Sequence, residues 1–219
     1  MEQDAFAYAF KEVYGLEADI DEIAHHGSTD QLVLLAVLAH RGVPEEQAEA
    51  GIARACDAMV RFADKATDVA EGLELLPGVE ALLKALQALG QDKVVSCLVT
   101  GNLEQIAWRK MRGLGIEALF SKPHFGGFGS EHRERAKLVA AAADKCARLH
   151  AQPGTRFHLG DTPNDIRAAE ASGATPVGLL TGIFSEEDLR AASANPEELI
   201  VLTNLSDTTA VLKTLGLAA

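Results

Sequence analysis

At 219 residues the chain is long enough to bury a substantial core, as one domain or two. A hydrophobic content of 47% against 24% charged residues is that of an ordinary globular protein, and a net charge of −12 argues against nucleic acid as a partner and against a general electrostatic funnel for anions. No apolar run approaches the roughly 20 residues that span a bilayer, and the opening Met-Glu-Gln-Asp-Ala-Phe has neither the basic flank nor the apolar stretch of a signal peptide.

Residues 1–72 carry helical periodicity and almost no strand signal. The spacing predicts a helix over 5–14 ending at Gly15, a second over 30–40 ending near Gly42, and a third from Pro44 to about Thr67. From Leu76 onward the pattern alternates. A helix opened by Pro77 ends at Gly90, and 93–99 is an apolar, β-rich run. A helix over 103–114 follows, then a short strand over 119–125 and a helix over 135–149. A strand over 156–159 leads to a helix over 163–172 closed by Gly173, and strands are expected over 175–180 and 199–202. Between these last two lies a helix over 186–192, where Ser185 and Asp188 form a capping-box start. Strands separated by helices of this length predict βαβ units and a parallel sheet with right-handed crossovers. The expected architecture is therefore an α/β fold, a Rossmann-like parallel sheet over 73–219 with a small helical domain over 1–72. Cys56, Cys97 and Cys146 are odd in number and lack a CxxC spacing, so they read as reduced thiols of an intracellular, cytoplasmic protein.

Two segments could carry chemistry. The run from Val94 to Asn102 delivers Thr100, Gly101 and Asn102 to the carboxyl end of a strand, where a helix begins at once. Glycine there lets backbone N–H groups approach a ligand, and the helix start favours an anion. A plain strand–turn–helix capped by Asn102 explains the same letters. In the second segment, the strand ending at Gly160 presents Asp161, with Asp165 four residues later. Two acids at such a strand end suit a divalent metal. Thr162 can cap the next helix, Pro163 occupy its first position and Asp165 close a capping box. That accounts for Asp165 but not for Asp161, which precedes the cap and would point into the crevice.

Together these segments make the chain resemble the haloacid dehalogenase-like hydrolases, in their phosphoglycolate phosphatase-like branch. Val-Thr-Gly-Asn at 99–102 is similar to the family's second motif, and Gly-Asp-Thr-Pro-Asn-Asp at 160–165 to its acidic fourth motif. The resemblance implies that Thr100, Gly101 and Asn102 bind a phosphoryl group and that Asp161 and Asp165 hold Mg²⁺. It further implies that 1–72 is a cap, with 27–30 near the substrate, and that the substrate is a small phosphorylated metabolite. The family's third motif supplies a cation. Gly-Phe-Gly followed by His132 and Arg133 resembles one version of it, making Arg135 the expected cation and Lys137 the alternative. Lys122-Pro123 matches only superficially and is expected within a strand. Arg133, Arg135 and Lys137 also read simply as a solvated helix start.

One departure is severe. The family's nucleophile is the first Asp of an Asp-x-Asp ending a buried strand ahead of the cap. Asp19-Ile20-Asp21 has the letters without the strand and reads as a loop or helix start, while Asp207 reads as the cap of the last helix. An aspartyl-phosphate route needs a carboxylate in line with the leaving oxygen, so the chain as written is expected to be inactive or nearly so. Either it starts late relative to the functional product, or another chain or strand fills the gap. The rival readings are a non-catalytic relative that binds a phosphorylated ligand or protein partner, and a 2-haloacid dehalogenase, against which the acidic pair counts. Substrate identity and oligomeric state are open.

Overall fold

The computed structural model describes residues 2–66, 72–150 and 154–217. Helix α1 (Glu2–Ala9) passes into a π-helical turn, Phe10–Tyr14, and stops at Gly15, whose φ of 68° is left-handed. Helices α2 (Asp30–His40) and α3 (Glu45–Lys65) begin with acids and end with a basic residue, which suits the helix dipole. The end expected at Thr67 lies outside the described residues. Phe6, Phe10, Leu34, Leu38 and Met59 are fully buried in one cluster among these helices. Leu103 and Ile106, from the following region, join it and seat the helical layer on the rest of the molecule. Asp19-Ile20-Asp21 falls in a 3₁₀ turn, Ile20–Glu22, with Asp19 and Glu22 forming its capping box. It is a surface turn between helices, as its sequence suggested.

The remaining described residues alternate. In order they are α4 (Val79–Leu89), β1 (Leu98–Thr100), α5 (Glu104–Gly113), β2 (Gly126–Phe128), α6 (Arg135–Leu149), β3 (Phe157–Gly160), α7 (Pro163–Ala171), β4 (Thr175–Leu179), α8 (Glu186–Ala191), β5 (Ile200–Leu202) and α9 (Thr208–Thr214). All strand pairings are parallel, as expected for an α/β fold, and they form two pieces, β1–β2 and β3–β4–β5. Side chains alternate across the strands. Val177 and Leu179 of β4 pack with Leu82 of α4 and Val211 of α9, whereas Gly178 between them faces Ile166 and Leu189 on the other side. Helices α6 and α7 lie side by side on that second face. Asp207 caps α9, accepting a hydrogen bond from the Ala210 N–H at 2.9 Å.

Two expectations need correction. The strand expected over 119–125 is absent. A 3₁₀ turn, Glu117–Leu119, and a loop with a cis Lys122–Pro123 bond occupy its place, and the ladder begins later, at Gly126. Lys122 is therefore an exposed loop residue rather than part of a strand. The reason is steric: a Cβ on Gly127 would come within 1.9 Å of the Leu138 carbonyl oxygen, so only glycine lets α6 lie this close to β2. The strand expected over 93–99 is also shorter, since only Leu98–Thr100 pairs with β2. No helix among the described residues is long and apolar enough to cross a membrane.

Candidate active site

The carboxyl ends of β1 and β3 open into one cleft of about 290 Å³. From β1 and the turn after it come Thr100, Gly101 and Asn102, and from the start of α6 comes Arg135. Asp161 and Thr162 follow β3, and His26, Gly27 and Ser28 reach in from the helical layer. Ile183, 71% exposed, and Phe184 form part of the rim. Thus Thr100, Gly101, Asn102, Arg135 and Asp161 meet in one place from three separate stretches of sequence. Lys137 does not line this cleft; its amine pairs with Glu134 on the exposed side of α6 at 2.8 Å. Arg133 is bound in both arms by Glu49 of α3, at 2.6 and 2.7 Å.

The turn after β1 is fixed by the helical layer. Asp30, buried at the start of α2, donates its N–H to the Gly101 carbonyl at 2.9 Å. Its carboxylate accepts from the Asn102 amide nitrogen at 2.9 Å and from the Leu103 N–H at 2.8 Å. The Lys110 amine donates to the Asn102 side-chain oxygen at 2.8 Å. The Asn102 side chain is thereby held from both ends, and its backbone N–H donates to Thr100 Oγ1 at 3.2 Å. A Cβ on Gly101 would lie 2.4 Å from the Ser28 carbonyl oxygen, so this approach of the two layers requires glycine.

The two acids of the second segment differ sharply. Asp165 is buried, and both its oxygens are occupied. Oδ1 accepts from Arg135 Nε at 2.6 Å and faces His158 Nε2 at 3.2 Å, while Oδ2 accepts from the Thr162 N–H at 3.1 Å and hydroxyl at 2.8 Å. Burial pushes its pKa up, but the His158 hydrogen bond, the Arg135 charge and the Thr162 hydroxyl together hold it well below the usual carboxylate range. It also closes the capping box of α7 with Thr162. Asp161 is half-buried, and its pKa is raised, first by burial and then by the charge of Asp165, with its own backbone N–H and Arg135 opposing. A carboxylate in that setting, facing open space beside a second acid, fits a divalent cation, whose charge would offset both causes of the rise. No group of three or more His, Cys, Asp or Glu side chains among the described residues could hold a metal ion. A metal here would draw further oxygens from water and ligand, the usual habit of Mg²⁺.

Asp30, Lys110 and His158 acquire their roles only in three dimensions. Asp30 lay in the segment 27–30 expected near the substrate, and Lys110 stands four residues after Ile106, on the apolar stripe of α5, where a charged group needs a partner. His158 reads as a core residue of its strand and is indeed buried, yet its ring faces Asp165.

The sequence profile of the haloacid dehalogenase-like hydrolases matches residues 2–173. No curated protein matches the chain. Among solved structures, a hydrolase from Pseudomonas syringae is 22% identical with a TM-score of 0.62, the alignment covering 100% of this chain and 92% of that one. A predicted phosphoglycolate phosphatase from Haemophilus somnus is 19% identical over 97% of this chain and 89% of its own, with a TM-score of 0.62. A β-phosphoglucomutase from Clostridium difficile is 16% identical over 94% and 86%, with a TM-score of 0.55. At these identities the structures establish a shared fold, while the profile covers most of the chain: this protein belongs to the haloacid dehalogenase-like hydrolases.

Proposed function

We propose that the scaffold is that of a Mg²⁺-dependent phosphomonoester hydrolase acting on a small phosphorylated metabolite inside the cell. The observation that carries this reading is the meeting of Thr100, Gly101, Arg135 and Asp161 at one cleft. The Thr100 hydroxyl and the Gly101 main chain border the space a phosphoryl group would fill, and Arg135 brings a positive charge to this cleft of an acidic chain. Arg135 is preferred to Lys137 because it faces the cleft. Asp161 would hold Mg²⁺ directly. Asp165 would act with it while orienting Arg135, and the bound ion would supply charge neutralisation at the phosphoryl oxygens. The helical layer, about 1–72, would serve as a cap over the 73–219 core, bringing His26, Gly27 and Ser28 to the substrate.

The nucleophile is unassigned. Asp161 is the sole carboxylate among the described residues lining the cleft, and its part in this reading is to hold Mg²⁺. Position and charge without an attacking group support binding rather than turnover. The same observation favours the second reading, a non-catalytic relative that binds a phosphorylated ligand. Dehalogenation of a 2-haloacid requires no metal and leaves the acidic pair without a role.

The test measures hydrolysis of an aryl phosphate and binding of inorganic phosphate, each with and without Mg²⁺, in the wild type and in Asp161→Asn. The expected result is Mg²⁺-dependent phosphate binding that Asp161→Asn abolishes, with little or no turnover. Mg²⁺-dependent turnover lost in the variant would replace the binding reading with an active phosphatase. Absence of Mg²⁺-dependent phosphate binding would overturn both.

A further inference from the structure

Among the described residues Ile183 is the most exposed large apolar side chain, at 71%, where the others reach 45% at most. A lone apolar residue on a surface needs no explanation. This one lines the cleft that also holds Thr100, Arg135 and Asp161. Its loop is pinned at both ends. The Leu180 N–H donates to the Leu202 carbonyl at 3.0 Å, Phe184 packs against Ile166, Leu189 and Leu199, and Ser185 caps α8 through Asp188. Between these anchors Gly182 lies against the acid after β3: a Cβ there would come within 2.7 Å of Asp161 Oδ2. Ile183 is thus presented to the cleft on a short, fixed loop, with the less exposed Phe184 beside it on the rim.

A second wall comes from the helical layer. The Ser28 N–H donates to the His25 carbonyl at 3.0 Å and Gly27 has a φ of 76°, which makes 25–28 a tight turn with His26 at its corner. His25 is held through Nδ1, 3.2 Å from the Ile23 carbonyl oxygen. The exposed ring of His26 stacks on it, with centroids 4.9 Å apart and planes 20° from parallel. The stack takes one face of the His26 ring and leaves the other to the cleft that the residue lines. The turn rests on the start of α7, where a Cβ on Gly27 would lie 3.0 Å from Thr162 Oγ1. His26 and Ile183 therefore approach the same two residues, Asp161 and Thr162, one from each layer.

We infer that Ile183, Phe184 and His26 seat the organic part of the phosphate ester, and that this ester is one of an aromatic alcohol without a second anionic group. The inference rests on the reading of the cleft as a phosphomonoester site, and adds what the ester carries beyond its phosphoryl group. An isoleucine side chain and an imidazole face both favour a flat apolar group, the first by burial of area and the second by stacking. A second anion is disfavoured by charge. Arg135 is the only lysine or arginine among the described residues lining the cleft, and its Nε already faces Asp165 at 2.6 Å. The phosphoryl group would claim its remaining donors. A carboxylate on the organic part would lie beside Ile183 and near Asp161, losing water without gaining a partner. The cleft, of about 290 Å³, is at the small end of ligand sites and suits one ring next to a phosphoryl group.

The test measures, by calorimetry on the full chain with Mg²⁺ present, the binding of methylphosphonate, benzylphosphonate and phosphonoacetate. These differ only in what the carbon on phosphorus carries, and the carbon–phosphorus bond resists hydrolysis, so affinity is read without turnover. Benzylphosphonate should bind about tenfold or more tightly than methylphosphonate, and phosphonoacetate no more tightly than methylphosphonate. In Ile183→Ser the benzyl-to-methyl ratio should fall to within about twofold of one, and in Ile183→Lys the preference should pass to phosphonoacetate. Leu149→Ser, which removes an exposed apolar side chain elsewhere on the surface, should keep the wild-type ratio and so separate the subsite from general adhesion. Equal affinities for the benzyl and methyl compounds, a wild-type preference for phosphonoacetate, or a benzyl preference that survives Ile183→Ser would overturn the inference and leave the phosphomonoester reading standing. If none of the three compounds binds, that reading falls and this inference falls with it.

Discussion

The helical layer and the sheet layer bury their apolar residues in different ways. In the first, one continuous cluster runs from Ala5 to Ala63 and draws in Leu103 and Ile106 from α5. In the second, the buried residues are divided among separate small clusters, one between α4, α9 and β4, another beneath α6 and α7, others around Phe120 and around Leu189. Three amphipathic helices can close a core by themselves. The described part of the sheet layer shares its apolar contacts among helices on both faces instead. The sheet layer should accordingly open first.

The largest expected effect lies in the continuous core. Phe10→Ala removes a fully buried ring and should cost about 3–5 kcal/mol in urea unfolding. Leu159→Ala, made at a half-covered position of β3, should cost no more than about 2 kcal/mol. Equal costs for the two would break the comparison.

Between these lies Asp165→Asn, which separates a buried carboxylate from Arg135 and should cost about 3 kcal/mol at neutral pH. Its pH dependence follows from the direction of its shift. The folded-state pKa of Asp165 lies below the unfolded value of about 3.9, so its stabilisation is fully present above that value and is lost as the pH falls through the folded one. Thermal unfolding of wild type and variant should therefore differ most near neutrality and converge in strong acid. A constant difference across that range would show that the asparagine acts through packing alone. Asp161 has the opposite sign. Its raised pKa means that ionisation costs stability as the pH rises through the folded value, so Asp161→Asn should be neutral to slightly stabilising at pH 7 without metal.

What could be read in the sequence was what its neighbours along the chain determine. Gly15, Gly90 and Gly173 end their helices, and the pairs Ser185/Asp188 and Thr162/Asp165 begin theirs, because a cap is a contact over three or four residues. The hydroxyl of the β1 turn and the acid after β3 were visible for the same reason, as letters at predicted strand ends. The position of β2 was not. Gly-Gly-Phe has little strand preference, and its place is decided by how closely α6 approaches Gly127. Nor could the partners of Asn102 be read, since Asp30 is 72 residues away and meets it only when the two layers dock. Arg135 and Asp165 stand 30 residues apart under the same constraint.

The docking of the layers is lopsided. On the β1 side the helical layer is fastened by Asp30 to residues 101–103, by Gln31 to the Gly129 carbonyl at 2.6 Å, by Thr29 to the Arg133 carbonyl at 3.1 Å and by Glu49 to the Arg133 guanidinium. On the β3 side, the hydrogen bond found among the described residues is a single one, from the Asn164 amide to the Gly27 carbonyl at 3.1 Å. The helical layer is thus hung at β1 by several bonds and latched at β3 by one. The two layers should therefore part more readily beside Asp161 than beside Thr100. Asn164→Ala lifts the latch, and the 27–28 amides should then exchange about fivefold faster, the equivalent of one hydrogen bond, with Val33 and Leu34 unchanged. An opening on that side would expose the acid after β3 before the hydroxyl after β1.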